Sequence, residues 1–313
     1  MARRKYKFPK EPIIGIVVLA LLIGFFLLFL PQINIWWSLR DAQKILPPAE
    51  TQFIPPAVED LATATEKTPN TNRTSTGRKE PSILQPVNGT GKIIIIIDDV
   101  GNNIEDLQNF IEFPEPLTFA VLPQLKNTSA SVDLILSKGH DVILHQPMTP
   151  IGGANPGPGA INLSLSRTEI WNLLDINFSS TSNPPGANNH MGSAVTANPE
   201  IMKIIMEYMA HNNKFFLDSR TTTDSVAYIA AQNQGVVFTE RDVFLDHNRD
   251  SVAIWNSLLL GLEIAKSNGS VILIGHCTVP QLAEALFKIY PEIKKNGFQI
   301  ISLRDSLIKN MVE

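Results

Sequence analysis

The chain has 313 residues, enough for one large domain or two ordinary ones, and its formal net charge at pH 7 is −4. Beyond the extreme N-terminus it has no basic block, which argues against a nucleic-acid partner. Cys277 is the single cysteine, so the sequence excludes an internal disulfide and any zinc site built on cysteines.

Residues 1–37 have the pattern of a membrane anchor. Five Lys and Arg side chains fall within residues 1–12, and residues 13–30 carry no charged side chain. As a helix this apolar run would rise about 27 Å, close to the hydrocarbon thickness of a bilayer. We therefore predict a cytoplasmic basic segment (1–12) and a single-pass transmembrane anchor (13–37), with the rest of the chain periplasmic or extracellular. A cleaved signal peptide is the alternative, but the apolar run is longer than usual and lacks a small-residue cleavage site.

Residues 38–90 have the composition of an extended tether. From residue 47 onwards prolines punctuate a stretch of Thr, Asn and Glu that shows little hydrophobic periodicity. A coil of this length spans roughly 35–40 Å on average, and more where proline stiffens it. The tether would let the following domain work at a distance from the membrane.

From residue 91 to residue 313, short β-branched runs alternate with helical stretches, which predicts an α/β domain with a parallel sheet. The five isoleucines at 93–97 are apolar on both faces, as in a parallel strand that is covered on both sides. On this pattern an incomplete or irregular (β/α) barrel with about seven parallel strands competes with an open doubly wound sheet. The predicted strands span residues 92–98, 117–123, 141–145, 214–218, 242–246, 270–276 and 298–303.

Several of these strands end in a side chain that can bind a metal or move a proton. In a parallel barrel all strand C-termini open onto one face, where active sites are built. Taken singly, each residue also has an ordinary interpretation, such as a helix N-cap for an aspartate or a turn residue for a histidine. The set consists of Asp98 and Asp99, His145, Asp218, Asp246 with His247, and His276.

The segment GANNHMGS, residues 186–193, is predicted to be a polar, glycine-bounded loop that brings His190 to the same face. One carboxylate and two imidazoles from separate segments match the ligand set of a catalytic zinc or similar divalent ion. One aspartate of the pair at 98–99 can then bind the metal while the other acts as a general base. A purely structural role in its own loop is the alternative for His190.

Six motifs in this order resemble the divergent polysaccharide deacetylase family, a remote relative of the carbohydrate esterase family 4 deacetylases. They are IIIIIDDVG, ILHQPM, GANNHMGS, FFLDSRT, VFLDH and ILIGH, within roughly residues 91 to 308. The resemblance implies an irregular (β/α) barrel and a metal-dependent hydrolase that acts on carbon–nitrogen bonds of amino sugars. Its substrate would be an acetylated envelope polysaccharide or peptidoglycan.

The resemblance also implies roles for the metal site. Asp98 corresponds to the catalytic base and Asp99 to a metal ligand, and His145 matches the first of two histidines placed four residues apart. Thr149 stands where the second histidine would be. We expect His190 to supply the third ligand to a divalent ion, zinc in our prediction.

By the same resemblance, His276 corresponds to the histidine that protonates the leaving amine, and Asp218 to a residue that orients or tunes the site. The departure at Thr149 motivates an alternative function, a catalytically inactive glycan-binding or scaffold protein of the cell envelope. A metal-dependent hydrolase of another bond is a third possibility, because a fold does not fix a reaction.

Overall fold

The computed structural model describes residues 90–312 of the chain, with side chains described up to residue 307. The predicted cytoplasmic segment and anchor lie outside this range, as does the tether except for its last residue. Among the helices of residues 90–312, none has both the length and the apolar content needed to cross a membrane.

Nine strand segments of the described chain form one sheet, and all their pairings are parallel. The strands are β1 (Lys92–Val100), β2 (Thr118–Val121), β3 (Asp141–Met148), β4 (Gly186–Met191), β5 (Phe215–Asp218), β6 (Phe238–Glu240), β7 (Val243–Phe244), β8 (Ser270–His276) and β9 (Gln299–Ile300). The helices are α1 (Ile104–Gln108), α2 (Thr128–Ser137), α3 (Arg167–Ser180), α4 (Ser193–Thr196), α5 (Pro199–His211), α6 (Ala227–Gln234), α7 (Ser251–Asn268), α8 (Pro280–Lys295) and α9 (Leu303–Val312).

The strand order is β6-β5-β4-β3-β2-β1-β8-β7, with β9 beside β1. Neighbours that follow the chain order in this way are typical of a barrel and not of a doubly wound sheet. The two outermost strands of this order, β6 and β7, belong to one segment, residues 238–245, which we call the seam. In the seam Arg241 N donates to Asp218 O of β5 at 3.0 Å, and Asp242 N donates to Ile272 O of β8 at 2.9 Å. One segment therefore bonds to both edges, and the predicted irregular (β/α) barrel is confirmed with nine strand segments instead of seven.

Side chains of β1 alternate between two apolar layers. Ile93, Ile95 and Ile97 pack in an outer layer with residues of α2, α7 and α8. Ile94 and Ile96 pack in the barrel interior with residues of β3, β5 and β8. Both faces of the strand are thus buried, which explains why an uninterrupted isoleucine run forms it.

The prediction that residues 186–193 form a loop is wrong, because most of them form β4 between β3 and β5. The side chains of Asn188 and Asn189 are buried there, but hydrogen bonds satisfy them, Asn188 with Asp98 in the barrel interior and Asn189 with the backbone N of Ser219. Gly186 serves close packing and not a turn, since a Cβ there would lie 2.4 Å from the Phe215 ring. Gly192 has a φ of 89° and makes the turn from β4 into α4.

Candidate active site

Two consecutive aspartates near the end of β1 contribute to one site. In a regular strand Asp98 would face the interior, like Ile96, and Asp99 would face the outer layer. The pairing of β1 with β2 shifts register between Ile97 and Val100, and Asp99 has a φ of 63°. This bulge turns the Asp99 carboxylate towards the same site as Asp98. A non-glycine residue in this backbone region costs of order 1–3 kcal/mol, so the contacts of Asp99 must offset that strain.

Asp99, His145 and His190 present three ligand atoms to a common point. Asp99 Oδ1 lies 2.9 Å from His190 Nδ1 and 3.2 Å from His145 Nε2, and the two nitrogens are 3.1 Å apart. Ligands at about 2.0–2.1 Å from a tetrahedral zinc ion are about 3.3 Å from one another. The structure therefore brings together the three predicted ligands in a triangle that fits one face of a divalent-metal site.

Asn188 holds two of the neighbouring groups in place. Its Oδ1 accepts a hydrogen bond from His145 Nδ1 at 2.7 Å, and its Nδ2 donates to Asp98 Oδ1 at 2.9 Å. Because Asn188 holds a proton on Nδ1 of His145, Nε2 is the nitrogen that faces Asp99 and would bind a metal once its own proton is displaced. Sequence reasoning missed Asn188. The available signal was its place two residues before His190, which puts both side chains on one face of a strand.

The two aspartates differ in their electrostatics. Burial raises the pKa of Asp98, although the charge of His145 favours the carboxylate. Burial also opposes the ionised form of Asp99, but hydrogen bonds with His145 and His190 hold its pKa well below its usual range. The pKa of His145 is raised, because the charges of both aspartates outweigh the effect of burial. This concentration of negative charge is what a bound cation would neutralise.

His276 ends β8 beside the ligand triangle, with its Nε2 3.9 Å from Asp99 Oδ2. Asp246, which follows the seam, lies with Oδ1 3.1 Å from His276 Nδ1 and accepts from the His276 backbone N at 2.8 Å through Oδ2. Burial disfavours the imidazolium, but the hydrogen bond with Asp246 and the negative charges of Asp99, Asp246 and Asp98 together outweigh it, and the pKa of His276 rises to about 9. His276 is therefore protonated at neutral pH, which is the state a general acid requires. The sequence places Asp246 at a strand end. That Asp246 hydrogen-bonds to His276 can be inferred only from the pairing of β7 with β8.

The structure does not bring Asp218 into this cluster. Leu217 packs in the barrel interior, so the next side chain along β5 faces the other way. Asp218 Oδ1 accepts from Arg220 N at 2.7 Å and Oδ2 accepts from the Ser225 hydroxyl at 2.6 Å, which fixes the turn after β5. Its link to the site runs through Ser219, which bonds to the asparagines of β4. The orienting role of Asp218 stays a prediction.

Three further residues near the strand ends contribute no ligand. Thr149 is bonded through its backbone N and its hydroxyl to the carbonyl of Ile161, at 2.9 Å and 3.2 Å. His247 is exposed and lies outside the ligand triangle. The buried Cys277 thiol donates to Asp99 O at 3.2 Å, and burial raises its pKa, so it is a packed thiol.

Asp99 and His190 also line a cleft of about 200 Å³. The first wall of the cleft lies within residues 122–125, between β2 and α2, and the second wall is residues 155–158, between β3 and α3. Four prolines in the lining give it rigid apolar ring faces, and Asp99, Asn102, Asn155 and His190 give it polar ones. The ligand triangle therefore has a concave space beside it that is open to a substrate.

Comparison with known proteins supports one family. The sequence profile described as divergent polysaccharide deacetylase matches residues 95–307. An uncharacterized protein of Haemophilus influenzae is 32% identical over 185 residues, which are 59% of this chain and 66% of that protein. The uncharacterized protein YibQ of Escherichia coli is 31% identical over 206 residues, 65% of each chain. The matched regions thus span slightly less than two thirds of these relatives.

The fold has a counterpart among solved structures. The crystal structure of an uncharacterized protein from Agrobacterium tumefaciens superposes with a TM-score of 0.65 and 20% sequence identity. The superposition covers 71% of this chain and 90% of that one. The likeness shows that the two chains share a fold.

Proposed function

Because the chain belongs to the divergent polysaccharide deacetylase family, we propose that it removes N-acetyl groups from an acetylated glycan of the cell envelope, such as peptidoglycan. The observation that carries the proposal is the ligand triangle of Asp99, His145 and His190, with Asp98 and His276 beside it. Amide hydrolysis needs an activated carbonyl, a base for the attacking water and an acid for the leaving nitrogen. This arrangement offers a group for each task.

The metal we propose is zinc, held by Asp99, His145 and His190. Two imidazoles and one carboxylate, with further positions open, are a ligand set typical of catalytic zinc. When bound, the ion supplies Lewis-acid chemistry. The chain contributes the orientation of the ligands, since Asn188 fixes the protonated nitrogen of His145.

Asp98 is the proposed general base. Its carboxylate is 2% exposed, and burial raises its pKa, which makes it a stronger acceptor for the proton of the attacking water. The Asn188 amide donates to Oδ1 at 2.9 Å and leaves Oδ2, the oxygen nearer to His145, to receive the proton.

His276 is the proposed general acid. Its Nε2 faces Asp99, and its Nδ1 is held by Asp246, so the proton available for transfer is the one on Nε2. Donation to the departing sugar nitrogen would leave His276 neutral and still bonded to Asp246. Asp246 therefore acts as a positioning residue that keeps the imidazolium charged and aimed at the site.

An inactive glycan-binding protein is the second candidate, and the observation that favours it is Thr149. Its backbone N and its hydroxyl both donate to Ile161 O, so it provides no ligand at the position of the missing histidine. Against it, His190 supplies a third ligand atom from β4. The two candidates differ in one measurable property, the release of acetate.

We also propose that residues 13–37 anchor the protein in the membrane and that the catalytic domain lies on the periplasmic or extracellular side. The support is the charge-free apolar run at 13–30, preceded by a basic segment and followed by the tether at 38–90. An envelope glycan would then lie within reach of the site.

The test uses the full-length chain in detergent with added zinc. Bound metal is measured by elemental analysis, and acetate release is measured with N-acetylated chito-oligosaccharides and peptidoglycan fragments. The variant is His190→Ala, and the matched control is His247→Ala, because His247 is exposed and outside the triangle. We expect wild type and control to bind one metal and release acetate, and His190→Ala to lose both. Bound metal without acetate release would contradict the deacetylase and favour the glycan-binding candidate.

A further inference from the structure

A cluster of amide groups, buried at Gln146 and Asn177, connects the two walls of the cleft. Asn177 of α3 is 0% exposed, and its side chain makes three hydrogen bonds. Its Oδ1 accepts from Gln124 Nε2 at 2.6 Å, and its Nδ2 donates to Gln146 Oε1 and to Gly159 O, both at 2.8 Å. Gln146 Nε2 also donates to Gly159 O at 2.9 Å. We call this set, the side chains of Gln124, Gln146 and Asn177 with the Gly159 carbonyl, the amide clamp.

Two backbone positions are adapted to the amide clamp. Gly159 has a φ of 71°, and a Cβ there would lie 2.4 Å from Asn177 Oδ1 and 2.8 Å from Gln124 Nε2, so another residue would not fit. Gln124 has a φ of 58°, a left-handed conformation that is strained for a residue other than glycine. Gln146 and Asn177 form the buried centre of this network, and because Nδ2 and Oδ1 of Asn177 both have partners, the network specifies one geometry and offsets local strain.

The amide clamp contains one residue next to each wall of the cleft, so it can fix the distance between the walls. Gln124 lies between Pro123 and Leu125, which line the first wall. Gly159 directly follows Pro158, which lines the second wall. The two walls are therefore tied to each other through one buried side chain, that of Asn177.

The second wall depends on this tie because its other end is loosely packed. Gly152 and Gly153 have φ values of 91° and 77°, both are exposed, and a Cβ added at either would meet nothing within 4 Å. Glycines in open space leave many backbone conformations accessible. The segment bearing Pro156 and Pro158 is thus fixed on one side only, by Gly159 and then by Ile161, whose backbone N donates to Pro147 O, and Gly159 is the nearer of the two.

We propose that the amide clamp positions residues 155–158 against the substrate, so that this wall contacts the N-acylated sugar unit being cleaved. Asp99 and His190 line the same cleft, hence a sugar whose amide reaches the ligand triangle must lie along the wall. Proline rings give an apolar surface with little side-chain entropy to lose on binding. Asn177 is a positioning residue for substrate affinity. The inference rests on the proposed function, because it names the contact surface of the same site.

The test is Asn177→Asp in the full-length, zinc-loaded chain. The change keeps the size of the side chain but replaces both Nδ2 donors by an oxygen that faces the acceptors of Gln146 and Gly159. We expect the KM for N-acetylated chito-oligosaccharide to rise about tenfold, with kcat and metal content within about twofold. Limited proteolysis within residues 151–158 should become faster. The matched control is Asn172→Asp, an exposed asparagine on the same helix, which should change none of these quantities.

The outcomes separate the possibilities. Faster proteolysis with an unchanged KM would overturn the proposal, because the released wall would not contact substrate. A fall in metal content or in kcat would overturn it too, by assigning the amide clamp to the metal site. If Asn177→Asp does not fold, Gln124→Ala removes only the bond to Asn177 Oδ1 and should raise the KM in the same direction.

A failure of the proposed function gives a different result. If zinc-loaded wild type releases no acetate, the Kd for the same oligosaccharide is measured by calorimetry in place of the KM. The amide clamp then predicts about tenfold weaker binding by Asn177→Asp, whether or not hydrolysis occurs. Equal binding by variant and wild type, or no binding by wild type, would overturn the inference.

Discussion

Replacing Asp246 by asparagine should move the alkaline limit of acetate release to lower pH. Burial opposes the His276 imidazolium, yet the hydrogen bond with Asp246 helps to raise its pKa from 6.5 to about 9. That difference corresponds to about 3 kcal/mol between the two protonation states. Activity that needs the imidazolium is present below the pKa and is lost as the pH rises through it. If the whole shift were lost, the protonated fraction at pH 7.5 would fall from about 97% to about 9%.

The expected rate deficit is therefore about tenfold at pH 7.5 and less than about twofold at pH 6. Tenfold is an upper limit, since Asp99 also raises the pKa of His276 and remains in place. The assay is kcat for acetate release between pH 5.5 and 9.5, with variant and wild type both loaded with zinc. Asp242→Asn is the control, because Asp242 accepts from Ile272 N on the same part of the chain without contacting His276. An equal deficit at both pH values would refute the reasoning.

Three shorter predictions concern other residues of the barrel. Thr149→Ala should leave zinc affinity unchanged in a competition titration, because Thr149 bonds to the Ile161 carbonyl and not to the site. Gly186→Ala should lower the free energy of unfolding by about 1–3 kcal/mol in denaturant titration, since the new Cβ would lie 2.4 Å from the Phe215 ring. Cys277 should react with an alkylating reagent at pH 8 only after unfolding, because the thiol is buried and its pKa is raised.

The strands that could be predicted from the sequence are those whose buried side chains are all apolar. β1 and β8 are continuous apolar runs and were found within two residues of their observed ends. β4 was missed because its inward positions carry Asn188 and His190, whose burial is satisfied by partners on other strands. The seam was predicted only in its second half, since β6 has three residues and no alternating pattern.

The candidate site could likewise be predicted only in part. Its metal-ligating side chains could be predicted because parallel strands place their ends on one face. The bulge that turns Asp99 inward could not be predicted, because regular strand alternation places consecutive side chains on opposite faces. The partners Asn188 and Asp246 depend on strand register, which a single sequence does not contain. The same alternation explains why Asp218 points away from the cluster.

The most direct test of the account is acetate release by Asp98→Asn beside wild type, both shown to hold one zinc ion per chain. The variant removes the proposed base and leaves the three metal ligands in place. We predict full metal content and a fall in kcat of about a hundredfold or more on N-acetylated chito-oligosaccharide or peptidoglycan fragments. Release by the variant at the wild-type rate would contradict the account, and so would a zinc-loaded wild type that releases no acetate.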